Sequence, residues 1–188
     1  EISKLETGEL KSEMEEIYLY DIINEVVESL QYKAQQERVN LFIERIDRNL
    51  RIRADKNQLR QVLINLIENG IKYNAPQGSV RIELSQTKRA DKMILNIEDT
   101  GIGIDEADLP RVTERFFRVD KSRSRERGGT GLGLAIVKHI IEAHGETLKI
   151  RSEPNKGSKF SISLTRVDVD ENSHSPDEAT FSEISRGK

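Results

Sequence analysis

Three short stretches of the chain carry side chains whose types and spacing can do chemistry. In NLIENGIKYN, Asn65 and Asn69 stand four apart with Lys72 three further on, so a helix puts all three on one face. An amide oxygen there suits a hard cation such as Mg2+, and an ammonium suits the phosphates that usually share it. Read alone, the same face fits solvent-facing or capping asparagines equally well. In IEDTGIGI, Asp99 ends an alternating strand, and Gly101 and Gly103 open the backbone beside it. Such a carboxylate is either a turn former or an acceptor for an exocyclic amine such as that of adenine. In GGTGLGLAIV, residues 128–137, Gly129, Gly131 and Gly133 lead into an aliphatic run from Leu134 to Ile141. A glycine turn opening a helix offers amides and a positive dipole end to an anion, and it also fits a plain tight turn before a core helix. Taken together, an adenine acceptor, a metal ligand and a phosphate cradle make a complete nucleotide site.

Between the last two stretches lies RVTERFFRVDKSRSRERG, residues 111–128, with seven Arg or Lys against three Asp or Glu. A charge run is by default a solvated surface. This one is bounded by glycine turns and carries the pair Phe116 and Phe117, which suits a mobile lid closing over a polyphosphate. Lys121, Arg123 and Arg125 are its candidate phosphate contacts.

The elements that must position these groups are readable from periodicity. Asp21 reads as the cap of an amphipathic helix over 21–36, and Asp55 with Gln58 as a capping box for a second helix to about Tyr73. A third helix spans 131–144, closed by Gly145. Alternation predicts strands in VNLFIERI, LRIRA, SVRIELSQ, KMILNIED, TLKIRS and SKFSISL, the middle two neighbours. The expected fold is α+β, a two-layer sandwich of a mixed sheet covered on one face by three helices. Residues 1–16 read as the end of a helix and a linker. Residues 167–188, with six acidic against two basic residues, read as a disordered tail.

Bulk composition removes other classes. The chain has 188 residues, no cysteine and three histidines, which leaves no disulfide framework and makes a zinc cage improbable. No apolar run approaches the roughly 18 residues that span a bilayer, so no membrane contact is expected of this chain. A net charge of −3 argues against a general nucleic-acid binder.

In this order, NLIENGIKYN, DTGIGI, RFFRVD and GGTGLGLAIVKHIIEAHG resemble the N, G1, F and G2 boxes of the catalytic ATP-binding domain of bacterial sensor histidine kinases, of the phosphate-sensor type. The similarity covers about residues 17–166. It implies the Bergerat ATP-binding fold shared with gyrase, the Hsp90 chaperones and MutL, with ATP and Mg2+ as cofactors. It implies that Asn69 ligates Mg2+, that Asp99 binds the adenine amine, and that Lys72 and Tyr73 lie near the phosphates and ribose. Gly101 and Gly103 shape the base end, and Gly129, Thr130, Gly131, Leu132 and Gly133 border a flexible lid. Asn65, Asn69 and Lys72 form the implied catalytic set. Asn65 falls where ATPase relatives carry a water-activating glutamate, and an amide cannot act as that base. The chain departs from the pattern at Gly70, where alanine is more usual, at Thr113, where an aromatic is common, and at Glu146, where a second glycine often follows His-Gly.

Residues 1–16 resemble the last turns of the family's dimerisation hairpin, with the phosphate-accepting histidine upstream of the chain. His139 and His144 are expected as surface or capping residues. The implied activity is transfer of the γ-phosphoryl group to a histidine of that hairpin, for relay to a response regulator, in a cytoplasmic domain of a membrane-anchored protein. A gyrase-like ATP-hydrolysing switch and a catalytically inactive docking module are the competing expectations. A Rossmann fold fails because no GxGxxG follows a first strand.

Overall fold

The computed structural model describes residues 12–119 and 130–167. Strand β1 (Glu15–Tyr18) runs directly into helix α1 (Leu19–Gln36), whose Ile22, Ile23, Val26 and Leu30 recur at helical spacing and are buried. Asp21 is not the cap that its position suggests. The Leu19 amide donates to the Leu50 carbonyl at 3.1 Å, so the helix starts two residues earlier and Asp21 falls within its first turn.

Helix α2 (Lys56–Lys72) follows the two short strands β2 (Asn40–Glu44) and β3 (Arg51–Ala54). Its cap is half of the expected box: Asp55 accepts from the Gln58 amide at 3.0 Å. The other half is replaced by partners distant in sequence. Asp55 N–H donates to His144 Nε2 at 3.0 Å, and Gln58 Oε1 accepts from the Ser12 hydroxyl at 3.2 Å. His144, which caps the third helix, thereby also ties that helix to the start of α2.

Strands β4 (Ser79–Gln86) and β5 (Lys92–Asp99) pair antiparallel, as expected. Helix α3 (Gly133–Ala143) is followed by β6 (Leu148–Glu153) and β7 (Gly157–Thr165). The main sheet has the order β2-β4-β5-β7-β6, with only the β2–β4 pair parallel. Its inner face presents Ile82, Leu95, Ile97 and Ile162 to Leu63, Leu66, Ile67 and Ile71 of α2, all essentially sealed from solvent. Its outer face is charged: Lys159 bonds Glu83 and Glu98 at 3.2 and 3.0 Å, and Arg81 bonds Glu44 at 3.0 Å. One apolar and one polar face is what alternation in half-covered strands produces. The three helices lie on one side of a mixed sheet, the expected α+β sandwich.

The strand β1 was invisible to periodicity because four residues, EEIY, allow only one alternation. It pairs antiparallel with β3, which therefore leaves the main sheet for a two-stranded one. The linker expected over 1–16 thus contributes Glu15 and Glu16 to a strand. An isolated bridge from Ile52 to Arg166 joins the small sheet to the end of β7.

Glu146 also acquires a structural reason. Its side chain, 7% exposed, accepts from Lys92 Nζ at 2.7 Å, Ser163 Oγ at 2.5 Å and Thr165 Oγ1 at 2.6 Å. Burial alone would raise its carboxyl, and these donors instead hold it below the usual carboxylate range. Among the described residues, no helix is long and apolar enough to cross a membrane.

Candidate nucleotide site

The site grows from the C-terminal half of α2. Asn65, Asn69 and Lys72 lie on it as expected, all three partly buried, and Tyr73 is its C-cap. The Lys72 ammonium lies 5.1 Å from the centre of the Tyr73 ring, a cation–π distance. The next residue along from Asn69, Gly70, explains its departure from alanine: a Cβ there would sit 2.8 Å from Val80 Cγ2 and 3.4 Å from Asp99 Cβ. The missing methyl makes room for the Val80 side chain at the start of β4, with Asp99 Cβ in ordinary contact distance beyond it.

Asp99 is the last residue of β5 and is 9% exposed. Its Oδ1 accepts from the Gly101 amide at 2.8 Å and the Ser158 amide at 3.3 Å. Burial pushes its carboxyl up to about 6 in spite of these two bonds, and the nearby Glu98 charge adds to the rise. A carboxyl held so far from its ordinary state, at a strand end beside open backbone, is a candidate functional group. Gly101 is buried against the Tyr73 carbonyl, which accepts from the Ile102 amide at 3.0 Å. Gly103 backs onto the carbonyl of Glu153, the last residue of β6.

The glycine-rich stretch reaches the same helix one turn earlier. A Cβ at Gly133, the first residue of α3, would lie 3.4 Å from Asn65 Oδ1. Gly131 is where backbone freedom is required: its φ is +70°, its carbonyl accepts from the Phe116 amide at 3.0 Å, and a Cβ would approach the Phe116 backbone to 2.9 Å. Phe116 and Gly131, fifteen positions apart, therefore meet. Phe116 itself has φ +63° and is 67% exposed, while Phe117 lies under the Arg111 guanidinium at 4.3 Å. Thr130 is exposed and Leu132 partly buried. Lys121, Arg123, Arg125 and Gly129 lie outside the described residues, as do residues 1–11 and the tail from 168.

Groups missed in the sequence come from the strands behind the carboxylate. Ser158 carries its amide bond to Asp99 and shares a hydrogen bond of 2.9 Å with Ser152 Oγ, which accepts from the Ile104 amide at 2.8 Å. Gly157, at φ +102°, lies directly against the Asp99 carbonyl oxygen, inside the space a Cβ would need. The only sequence signal was the glycine of a turn. Gly157→Ala is expected to cost more than about 2 kcal/mol, combining strain at a positive φ with a backbone clash. A urea-unfolding midpoint within error of the parent protein would contradict this packing.

The residues fit the anionic oxygens of a nucleotide. Among the described residues, two buried side-chain nitrogens have no hydrogen-bond partner, Asn65 Nδ2 and Arg118 Nη2. Such groups are costly unless something satisfies them. One lies on the asparagine face of α2 and the other in the charged segment, and both are donors suited to anionic oxygens. No cluster of three or more His, Cys, Asp or Glu that could hold a metal occurs among the described residues.

A mixed sheet under three helices, with a buried carboxyl and a glycine turn converging on one helix, makes an α+β sandwich with a candidate nucleotide site. Residues 54–168 match the family described as histidine kinase-, DNA gyrase B- and HSP90-like ATPase, and the chain belongs to it. It is 36% identical over 175 residues to the sensor-like histidine kinase SenX3 of Mycolicibacterium smegmatis, covering 93% of this chain and 44% of that protein. It is 43% identical over 122 residues to the phosphate regulon sensor protein PhoR of Pseudomonas aeruginosa, covering 65% of this chain and 27% of that one. The chain therefore spans less than half the length of these curated relatives. The nucleotide-free catalytic domain of histidine kinase ThkA superposes with a TM-score of 0.70 at 27% identity, over 82% of this chain and 96% of that one. The mycobacterial sensor histidine kinase MprB gives 0.67 at 26% identity, over 81% and 97%.

Proposed function

We propose that this domain binds Mg-ATP and presents the γ-phosphoryl group to a histidine on a neighbouring dimerisation hairpin, from which it passes to a response-regulator aspartate. The observation that carries the reading is the convergence on α2 of the buried Asp99 carboxyl and the Gly131–Gly133 turn, with Asn65 and Asn69 on the helix between. Asp99 accepts the adenine amine, and Asn69 supplies an amide oxygen to Mg2+. Lys72 and Tyr73 lie along the phosphates and ribose, and the glycine stretch with Lys121, Arg123 and Arg125 closes over the polyphosphate. Bound Mg2+ supplies charge neutralisation at the phosphates. Phosphoryl transfer asks mainly for positioning and electrostatic stabilisation, which these residue types provide. Residues 17–166 form the catalytic unit, 1–16 lead from the hairpin, and 167–188 form an acidic tail. The whole protein is a membrane-anchored sensor with this domain in the cytoplasm.

A gyrase-like hydrolytic switch is disfavoured by Asn65, which cannot deprotonate water. The test is γ-labelled ATP mixed with this chain and a separately supplied histidine-bearing hairpin, with and without Mg2+. Acid-labile label should accumulate on the hairpin only when the metal is present, slowed by the loss of tethering. Rapid release of free phosphate without transfer would replace the reading by the hydrolytic one.

A further inference from the structure

The side chain that follows the Tyr73 cap belongs to none of the ligand positions above, yet it is 8% exposed and uses its full bonding capacity. Asn74 Nδ2 donates to the Gly70 carbonyl and to the Ser79 carbonyl, each at 3.0 Å. Its Oδ1 accepts from the Ala75 amide at 3.0 Å and from the Thr100 hydroxyl at 3.1 Å. Two donors and two lone pairs are thereby spent. The partners stand on three different elements: Gly70 adjoins Asn69 in the last turn of α2, Ser79 opens β4, and Thr100 follows Asp99 at the end of β5. Thr100 completes the junction, since its Oγ1 accepts from the Ser79 amide at 2.9 Å and its amide donates to the Ser79 carbonyl at 3.1 Å.

We infer that Asn74 is a positioning residue for the nucleotide: one amide side chain fixes the base-reading carboxylate Asp99 relative to the helix face that bears Asn69. The inference rests on the Mg-ATP reading above and adds to it a group that touches no ligand. The physical reason is chelation. A nucleotide that engages the carboxylate at one end and α2 at the other gains from the second contact only if the two are held at the right separation. Without the Asn74 bridge, the end of β5 and the last turn of α2 are joined by the Ile102–Tyr73 backbone bond and by side-chain packing. Aim at the base also suffers. Adenine presents an amine where guanine presents a carbonyl oxygen, so a well-placed carboxylate attracts the first and repels the second. A displaced one discriminates less.

A purely local role is the alternative, because Asn74 also caps the turn through Ala75, and such a role predicts a different outcome. The test uses this chain with Asn74→Ala, Thr100→Val and the double variant. Calorimetric titrations with Mg-ATP and with Mg-GTP are run beside thermal unfolding. Thr100→Val removes the hydroxyl from an exposed residue while keeping its shape, and it leaves the Ala75 turn contact intact. It takes away both hydroxyl contacts, to Asn74 Oδ1 and from the Ser79 amide, and should weaken Mg-ATP roughly 2- to 12-fold and lower the ATP-over-GTP preference. Asn74→Ala should do more, and the double variant should lose less than the sum of the two single losses, because both act through one junction. Thr100→Val with affinity and base preference within twofold of the parent overturns the inference, as do losses that simply add, or a lowered melting temperature with unchanged preference. Should Asn74→Ala fail to fold, Thr100→Val decides alone. A parent chain that binds no Mg-ATP refutes the underlying reading instead, and the two failures are told apart by that first titration.

Discussion

Asp99→Asn is expected to weaken Mg-ATP binding while making the nucleotide-free domain more stable above pH 6. An amide offers the adenine amine an uncharged acceptor and adds a donor facing it, and losing a hydrogen bond to a charged group costs about 1.5 to 3 kcal/mol, roughly 10- to 150-fold in affinity. The stability gain follows from proton linkage. In the folded domain the carboxyl sits at about 6 instead of its ordinary 3.8, so the native state holds the proton more tightly than the unfolded chain does. The cost of burying it is absent below about pH 4, grows between 4 and 6, and is complete above, where a shift of about two units is worth roughly 3 kcal/mol. The substituted amide cannot ionise and escapes that cost. Urea unfolding of both proteins between pH 4 and 8 should show curves that diverge as pH rises, and titration of the parent should show ATP affinity falling as pH drops through 6. Unchanged affinity in the variant would remove Asp99 from the adenine role. Parallel stability curves would show that the carboxyl is not buried as described.

Asn69→Ala is expected to act at the other end of the ligand. Phosphoryl transfer to a supplied hairpin should fall by about two to three orders of magnitude, the usual cost of removing one preorganised contact to a reacting group. Binding of metal-free nucleotide should change less than about threefold, because one partly exposed amide on α2 contributes little to the base end. Single-turnover transfer measured across a Mg2+ titration separates the two effects, since a lost ligand shifts the metal dependence to higher concentration. Equal loss in binding and transfer, or no loss in either, would withdraw the metal role from Asn69.

Most of the fold was legible in the chain. The three helices and the strands after Asn40 declare themselves because each has one apolar face, and an apolar face has a period that a sequence displays. The helix face of Asn65, Asn69 and Lys72 was legible for the same reason, and so was the order of the four boxes. What the sequence could not contain is whatever depends on residues far apart in it. The start of α1 moved from Asp21 to Leu19 because the Leu50 carbonyl, some thirty residues on, takes the first amide. β3 left the main sheet because a strand of four residues, too short for a period, pairs with it. Half of the Asp55 capping box was surrendered to His144, whose ring is brought there only by the packing of α3 on α2. At the site itself, residue types left Asp99 either a turn former or an acceptor, and only burial made it unusual, burial being a property of its neighbours in space. Gly157, Ser158 and Asn74 were silent for that reason: a glycine in a turn and an asparagine after a helix say nothing of the backbone they will touch. Local periodicity determined which elements exist and which residues share a face. Contacts between elements decided where each one ends, and which ordinary side chains hold the carboxylate, the amides and the glycine turn at one place.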